Sequence, residues 1–430
     1  MARSLCKRWP ARLAMLTVAL PALACAQVEG GAAASPLRVS GFGTLGLVHV
    51  DAPDGWGYRR EMTEAADSGR WRHDVDSRLG LQLNYAWSPQ LEGVVQVLAR
   101  KRGQHASDQD AVEWAYLSYR PTPDWSLRLG RVNLDAFLMA DYRNVGYGYL
   151  TARPPVDLYA PLPTALDGGD VARSWMQGDA QWRAKVAVGS SHFGDSDLQR
   201  PGWLRRVVTA MVSREEGGWL LRAGAARTTL HTDTTDSQPA IDALTQLAAI
   251  PIPSIADGAR DLRQRLGASP LRGTFLELGL RYEQGDWQYS AEWVRTIAMP
   301  LSRRTSAYAT AGRRVGDWTP YVGYGQSRDE LPLLATPSWA PVLTPIVGPA
   351  AAAGAQGLAQ AVVNGMNASR VVQSTWTLGA RWDLHPQAAL KLQWDQVRTG
   401  AQGSGLWSGA PAGAPATTSR VASAVLDFIF

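Results

Sequence analysis

From Leu37 to Phe430 the chain alternates apolar and polar residues with period two, in short segments. Side chains two apart on an extended backbone face the same way, so each segment has one apolar face and one polar face. The pattern predicts strands over 37–51, 76–87, 91–101, 111–120, 124–132, 170–177, 181–190, 203–213, 218–227, 274–284, 287–295, 303–314, 317–326, 373–384, 388–398 and 421–430. Connections alternate in length. Ser88-Pro89-Gln90, Pro121-Thr122-Pro123, Gly178-Asp179-Ala180, Glu215-Glu216-Gly217, Gln284-Gly285-Asp286, the Gly316 turn and His385-Pro386-Gln387 are short and rich in turn formers. Residues 52–75, 102–110, 133–169, 191–202, 228–273, 296–302, 327–372 and 399–420 make the long ones. An even set of antiparallel strands joined in this way predicts an all-β transmembrane barrel of about 16 strands, with short periplasmic turns and long extracellular loops.

Tryptophan gives a second regularity. Trp87, Trp125, Trp182, Trp219, Trp287, Trp318 and Trp382 each stand at or beside a short turn, on the parity of their strand's apolar residues. Indoles gathered at one end of the hairpins read as an interfacial girdle, half buried with the ring N–H wet. A soluble β-sandwich would also alternate, yet it gives tryptophan no reason to collect at one end of every hairpin.

The first residues have a different character. Arg3, Lys7, Arg8 and Arg12 precede an apolar run from Leu13 to Leu23 and the small triplet Ala24-Cys25-Ala26, the layout of a secretory signal peptide cleaved after Ala26. The run is too short to span a bilayer as a helix. Leu23-Ala24-Cys25 faintly resembles a lipoprotein signal, but Ala22 stands where a larger aliphatic residue is expected. The reading is therefore a leader 1–26, a periplasmic lead 27–36 and a barrel domain 37–430. Cys6 and Cys25 both fall in the leader, so the mature chain would hold no cysteine. The leader also carries four of the 43 basic residues and no acid, which leaves 39 bases to 38 acids and gives no support to nucleic-acid binding.

The chain ends Val425-Leu426-Asp427-Phe428-Ile429-Phe430, with Leu426, Phe428 and Phe430 on one face and Asp427 on the other. A last strand closing on Phe430 resembles the assembly signal of bacterial outer-membrane barrels. The opening Ser40-Gly41-Phe42-Gly43-Thr44-Leu45-Gly46 and the strand Leu127-Arg128-Leu129-Gly130-Arg131 are similar to those of Gram-negative porins. The resemblance implies a passive channel in the cell outer membrane, among lipid and lipopolysaccharide, inserted by the barrel assembly machinery and associated as a homotrimer. It also implies that the third outer loop, here 133–169, folds into the barrel as the constriction. That loop lacks the Pro-Glu-Phe-Gly segment usual in the family and has Ala140-Asp141-Tyr142-Arg143-Asn144-Val145-Gly146-Tyr147-Gly148-Tyr149 instead.

If tryptophan and leucine face lipid, the opposite parity faces the lumen. That set holds Arg78, Arg100, Arg128, Arg183, Lys185, Arg205, Arg222, Arg281, Arg381 and Lys391 against Glu92, Glu113, Glu277, Glu292, Asp395 and Asp427. The excess of bases predicts a weak anion preference; the bland reading is a polar lumen of both signs without selection. In the loop, Asp141, Arg143, Arg153 and Asp157 are interleaved with Tyr142, Tyr147, Tyr149 and Tyr159. Opposed charges in a narrow pore orient dipolar solutes, and aromatic faces suit sugars or rings; the bland reading is a loop tied to the rim by salt bridges.

Other chemistry is weakly signalled. Gly41-Phe42-Gly43-Thr44-Leu45-Gly46 fits the dinucleotide fingerprint, but Leu47-Val48-His49-Val50 continues a strand where that motif needs a helix. The glycines instead suggest close strand packing. The histidines His49, His73, His105, His192, His231 and His385 have no metal-ligand spacing, nothing like Gly-x-Ser-x-Gly marks a nucleophile, and no cofactor is implied. Residues 241–247, 255–266 and 350–363 show helical spacing inside two outer loops and would form a lid or pack on the rim. The rivals to a general channel are a substrate-specific channel with a binding track and a surface receptor or adhesin plugged by 228–273 or 327–372. A transporter energised from the inner membrane would need a plug domain, for which 27–36 leave no room.

Overall fold

A computed structural model describes residues 35–60, 66–101, 111–160, 163–193, 202–401, 403, 405–411 and 413–430. The leader, most of the lead and His105 lie outside the described residues. Sixteen long strands follow in order: β1 Leu37–Asp51, β2 Arg78–Ala86, β3 Leu91–Arg100, β4 Val112–Thr122, β5 Trp125–Asn133, β6 Ala165–Gln177, β7 Ala180–Phe193, β8 Gly202–Glu216, β9 Trp219–Thr232, β10 Leu271–Gln284, β11 Trp287–Ala298, β12 Ser302–Arg313, β13 Trp318–Asp329, β14 Val372–His385, β15 Ala388–Thr399 and β16 Thr417–Ile429. Each pairs antiparallel with the next, and β16 returns to β1 over Phe42↔Ile429 to Asp51↔Arg420, so the sheet closes without an edge.

The seam explains the glycines of β1. Gly41 and Phe430 exchange both backbone hydrogen bonds, at 2.8 and 3.0 Å. The Phe430 ring lies over Gly41 and the Phe428 ring over Gly43, where an added Cβ would come within 2.2 and 2.3 Å of the ring carbons. Inward, the Phe42 ring covers Gly80 of β2 in the same way, at 2.2 Å. The motif that imitates a phosphate loop is a bed for two phenylalanine rings across the closure, and its own Phe42 ring covers Gly80 on the other side of β1.

Several strands run past their expected ends. β6 begins at Ala165 because Gly168 and Gly169, which read as loop, sit where neighbouring backbones approach too closely for a side chain: a Cβ on Gly168 would lie 2.1 Å from the Val188 carbonyl. The expected loop 296–302 shrinks to Met299, Pro300 and Leu301. Arg205 faces out rather than into the lumen, since the register shifts between Arg205 and Val208 and reverses the phase.

The wall separates its two faces cleanly. Leu129, Leu278, Val186, Leu378 and Leu45 stand outward with more than half of their surface exposed, and inward neighbours such as Thr44, Glu277 and Lys391 are buried. At the short-turn end, Trp87, Trp125, Trp219, Trp287 and Trp318 are 41–57% exposed. Trp182 and Trp382 are more covered because they stack on Trp175 at 6.2 Å and Trp318 at 5.1 Å. Tyr282 and Tyr289 fill the gap between Trp219 and Trp287, with ring separations of 4.5, 5.7 and 5.6 Å. Among the described residues no helix is long and apolar enough to cross a membrane; the crossing elements are strands.

Two outer loops carry helices: α2 Gln238–Ala248 and α3 Pro253–Leu266 between β9 and β10, and α4 Ala340–Val347 and α5 Pro349–Ala368 between β13 and β14. A short α1, Val156–Tyr159, lies earlier in the chain. Helices α2 to α5 bury Leu244, Ile255, Leu262, Trp339, Leu343 and Val363 against one another, so the two loops share a core of their own.

An arginine placed at Leu278, midway up the outer wall, is expected to destabilise the barrel by about 2–4 kcal/mol, while Trp287→Arg at the interface costs about 0–1 kcal/mol. Equilibrium unfolding in lipid vesicles measures both, and equal costs would contradict a lipid-facing wall.

Candidate constriction site

Residues 134–160, which follow β5, enter the barrel, and apolar packing draws them there. Leu134, Phe137, Met139, Leu158 and Tyr159 bury against Val207, Phe275, Val294 and Tyr308 of the wall. Phe137 meets Tyr159 at 4.8 Å and the edge of Phe275 at 5.7 Å. The inward parity of β8 to β12 is thus apolar in places, which an open watery lumen would not require.

Ion pairs hold the loop on both sides of the lumen. On one side the Lys391 ammonium donates to the carbonyls of Gly146, Tyr149 and Thr151 at 2.6, 2.7 and 3.0 Å and pairs with Asp427 at 2.9 Å. Asp427 also accepts from Thr44 at 2.5 Å. A Cβ on Gly146 would fall 1.8 Å from that carboxylate, so only glycine lets the loop pass. Arg153, fully buried, pairs with Asp76 at 2.6 Å and Asp395 at 3.2 Å and donates to Ser423 at 2.5 Å and Tyr58 at 3.3 Å. Asp157 in α1 accepts from Gln373 at 2.9 Å.

Across the barrel, Asp135 pairs with Arg222 at 2.7 Å and Lys185 at 3.0 Å. Arg222 reaches Glu277 at 3.2 Å, Lys185 reaches Asp170 at 3.4 Å, and Arg128 grips Asp170 at 2.6 Å. The Tyr159 hydroxyl donates to Glu292 at 2.6 Å, and the Leu138 N–H donates to the same carboxylate at 3.0 Å. Buried charges persist only when paired and hydrogen-bonded in this way.

The residues singled out from the sequence therefore have definite places. Arg78, Lys185, Arg222 and Lys391 point inward but are buried beneath the loop, whereas Arg100, Arg128, Arg183, Arg281 and Arg381 stay partly exposed. Asp141 accepts from Asn133 at 2.5 Å and Tyr142 from Arg281 at 3.4 Å. Arg143 donates to the Tyr159 carbonyl at 3.2 Å, Tyr147 to the Pro386 carbonyl at 2.7 Å beneath the Arg381 guanidinium, and Arg78 to the Tyr149 hydroxyl at 2.7 Å. Glu92 and Glu113 are buried in the β3–β4 region. Asp76, Asp135 and Asp170 were not singled out, although each completes a buried pair with a wall or loop cation. The one signal at Asp135 is a carboxylate standing between Leu134 and Ala136-Phe137.

Two cavities flank the loop. One of about 130 Å³ is lined by Tyr142, Arg281, Glu283, Arg314, Arg381 and Asp383; another of about 380 Å³ by Phe42, Gln82, Gln96, Trp114, Asp141 and Val145. The first brings three guanidinium groups and two carboxylates together in a polar space. Electrostatics in the loop follow burial and partners. Burial would raise the Asp135 carboxyl, but Arg222 and Lys185 hold it below the usual range. For Asp157 burial prevails over the hydrogen bonds from Thr375 and Gln373 and pushes the carboxyl up to about 6.

No protein-family model and no curated protein matches the sequence. Among solved structures, the outer membrane channel DcaP of Acinetobacter baumannii is 11% identical over 92% of this chain and 97% of that one, with a TM-score of 0.50. The anion-selective porin from Comamonas acidovorans is 13% identical over 92% of this chain and 100% of that one, also at 0.50. At such identities the likeness is one of fold: the chain has the porin-like barrel of outer-membrane channels.

Arg153→Met leaves Asp395 buried without its cation and Asp76 with Arg60 alone, at 3.3 Å, and is expected to cost about 3–5 kcal/mol, read as a lower urea midpoint and faster proteolysis within 134–160. Asp157 adds a pH term. Its folded-state pKa is raised, so its stabilisation is whole below about pH 4 and is lost as pH rises through about 6. Proteolysis of the loop should be severalfold faster at pH 8 than at pH 5, and Asp157→Asn should flatten that difference.

Proposed function

We propose that this chain is an outer-membrane channel through which small polar solutes diffuse, with a weak anion preference. Residues 1–26 direct its export, Phe430 marks it for the barrel assembly machinery, and three copies associate in the membrane. The observation that carries this reading is a barrel apolar outside and charged inside, narrowed by residues 134–160 tied across its lumen. Passage needs no energy source or cofactor, because pore width and fixed charge set the barrier. The anion preference rests on Arg281 and Arg314 beside the smaller cavity, since Arg78, Lys185, Arg222 and Lys391 are occupied in buried contacts and Arg381 pairs with Asp383 at 2.7 Å.

A second reading, a channel with a binding track for one solute class, gains support from the same loop. Attachment to opposite walls leaves narrow spaces of about 130 and 380 Å³ beside it. A solute threading them would touch guanidinium, carboxylate and aromatic groups at once.

Planar-bilayer recording tests both. The general channel predicts a linear conductance and a reversal potential of anion sign under a salt gradient, shifted toward zero in Arg281→Gln/Arg314→Gln. Solute-blocked, saturable current would instead favour the binding track, and no conductance at all would refute a channel and point to a plugged surface receptor. Lys391→Met, which removes the bonds to Gly146, Tyr149 and Thr151, is expected to raise conductance about twofold or more.

A further inference from the structure

One tryptophan breaks the rule that places indoles on the outside. Trp114 of β4 lies opposite the buried Gln96, on the inward parity, whereas every other tryptophan of the sixteen strands faces outward. Contact with hydrocarbon is therefore not what selects it. A bulge sets its direction: between Gln96↔Trp114 and Val97↔Val112 the strand carries Glu113 as an extra residue, and such bulges re-aim a neighbouring side chain. Among the described residues the Trp114 indole N–H donates no hydrogen bond, and the ring lines the cavity of about 380 Å³ beside the loop.

Register gives this indole a row of partners. Ser40, Gln82, Gln96 and Trp114 stand at one level across β1 to β4, each directly opposite the next, and all four line the same cavity. Strands about 4.8 Å apart make that rung roughly 14 Å long. Its amides are held in one orientation, because Gln96 donates to Gln82 at 2.8 Å, Gln82 to Asn84 at 2.8 Å and Asn84 to Glu92 at 2.9 Å. A carboxamide has two N–H donors and an oxygen that accepts twice, so Gln82 and Gln96 keep bonding capacity beyond this chain. From the loop, Asp141 enters the same cavity, exposed, with Asn133 donating to it and no ion pair among the described residues.

The lining selects a chemical class. It holds no lysine or arginine, so this cavity, unlike the smaller one, has no base with which to hold an anion. A cation would use Asp141 and the amide oxygens but leave the oriented N–H groups idle. Hydroxyl groups both donate and accept, and so use all of them. A pyranose ring adds a flat face of C–H groups inside a rim of hydroxyls, which matches the negative face of an indole bordered by amides and a carboxylate. The volume lies within the usual range of small-molecule sites, about 300–1,000 Å³.

We propose that this rung binds a neutral sugar, with the pyranose face on Trp114 and its hydroxyls on Gln82, Gln96 and Asp141. The assignment rests on the binding-track reading above and gives that track its solute class.

Single-channel current in planar bilayers would be titrated with three probes: maltose; sorbitol, which carries its hydroxyls on an open chain; and gluconate, an anion. Wild type, Trp114→Ala, Trp114→Phe and Asp141→Asn would be compared, each checked for the compact heat-modifiable form. Maltose should block the wild type saturably, and sorbitol and gluconate only at concentrations about tenfold higher or more. The half-blocking maltose concentration should rise about tenfold in Trp114→Ala, the loss of one ring contact, and return most of the way in Trp114→Phe. Asp141→Asn, on the loop, should weaken the maltose block severalfold and leave the sorbitol response unchanged. Equal block by maltose and sorbitol, or a maltose block that neither Trp114→Ala nor Asp141→Asn alters, would overturn the proposal. Saturable block by gluconate alone would keep a binding track and overturn its sugar, while a current that no probe blocks would overturn both.

Discussion

Everything in this fold depends on keeping two solvents apart with a wall one residue thick. A closed antiparallel sheet satisfies every backbone donor and acceptor within itself, so side chains alone decide what each face meets. Hydrocarbon selects leucine, valine and tryptophan on one parity, and the interior accepts charge on the other. The regularity of the outside is then a solvent requirement, and irregularity is confined to what lies within and above.

Within the lumen the same physics acts in reverse. A charged side chain pointing inward can be hydrated, or it can be buried against a partner, and here the inserted loop chooses the second for Lys391, Lys185, Arg222 and Arg153. Each pair costs desolvation that only close geometry repays. The loop therefore has little freedom to settle elsewhere: its apolar residues bring it in, and its ion pairs fix where it stops. Such an arrangement gives up pore width for a defined passage.

The strand pattern and the turns were legible in the sequence because each depends on neighbours two, or a few, residues apart, whereas the inward course of the third loop was an expectation drawn from the porin resemblance. What was hidden depends on distant partners. Phe275 and Val294 break the polar rule of the inner face only because Phe137 and Tyr159 arrive from far along the chain to cover them. Asp76 and Asp170 look like ordinary strand-end carboxylates until Arg153 and Arg128 are placed beside them. The phase of Arg205 was lost at a bulge, and Gly168 imitated a loop while serving a crowded strand crossing. Charge counting by parity therefore overestimated the cations that water can reach, since their partners come from segments that parity does not describe.

The seam between β1 and β16 has a consequence for how the molecule is made. β1 is first in order, yet one of its two flanks is completed by the strand last in order, so the amides on that flank have no strand partner until β16 pairs with it. The phenylalanine rings bedded on Gly41 and Gly43 then act as a clasp, engaging only when the two ends meet in a single register.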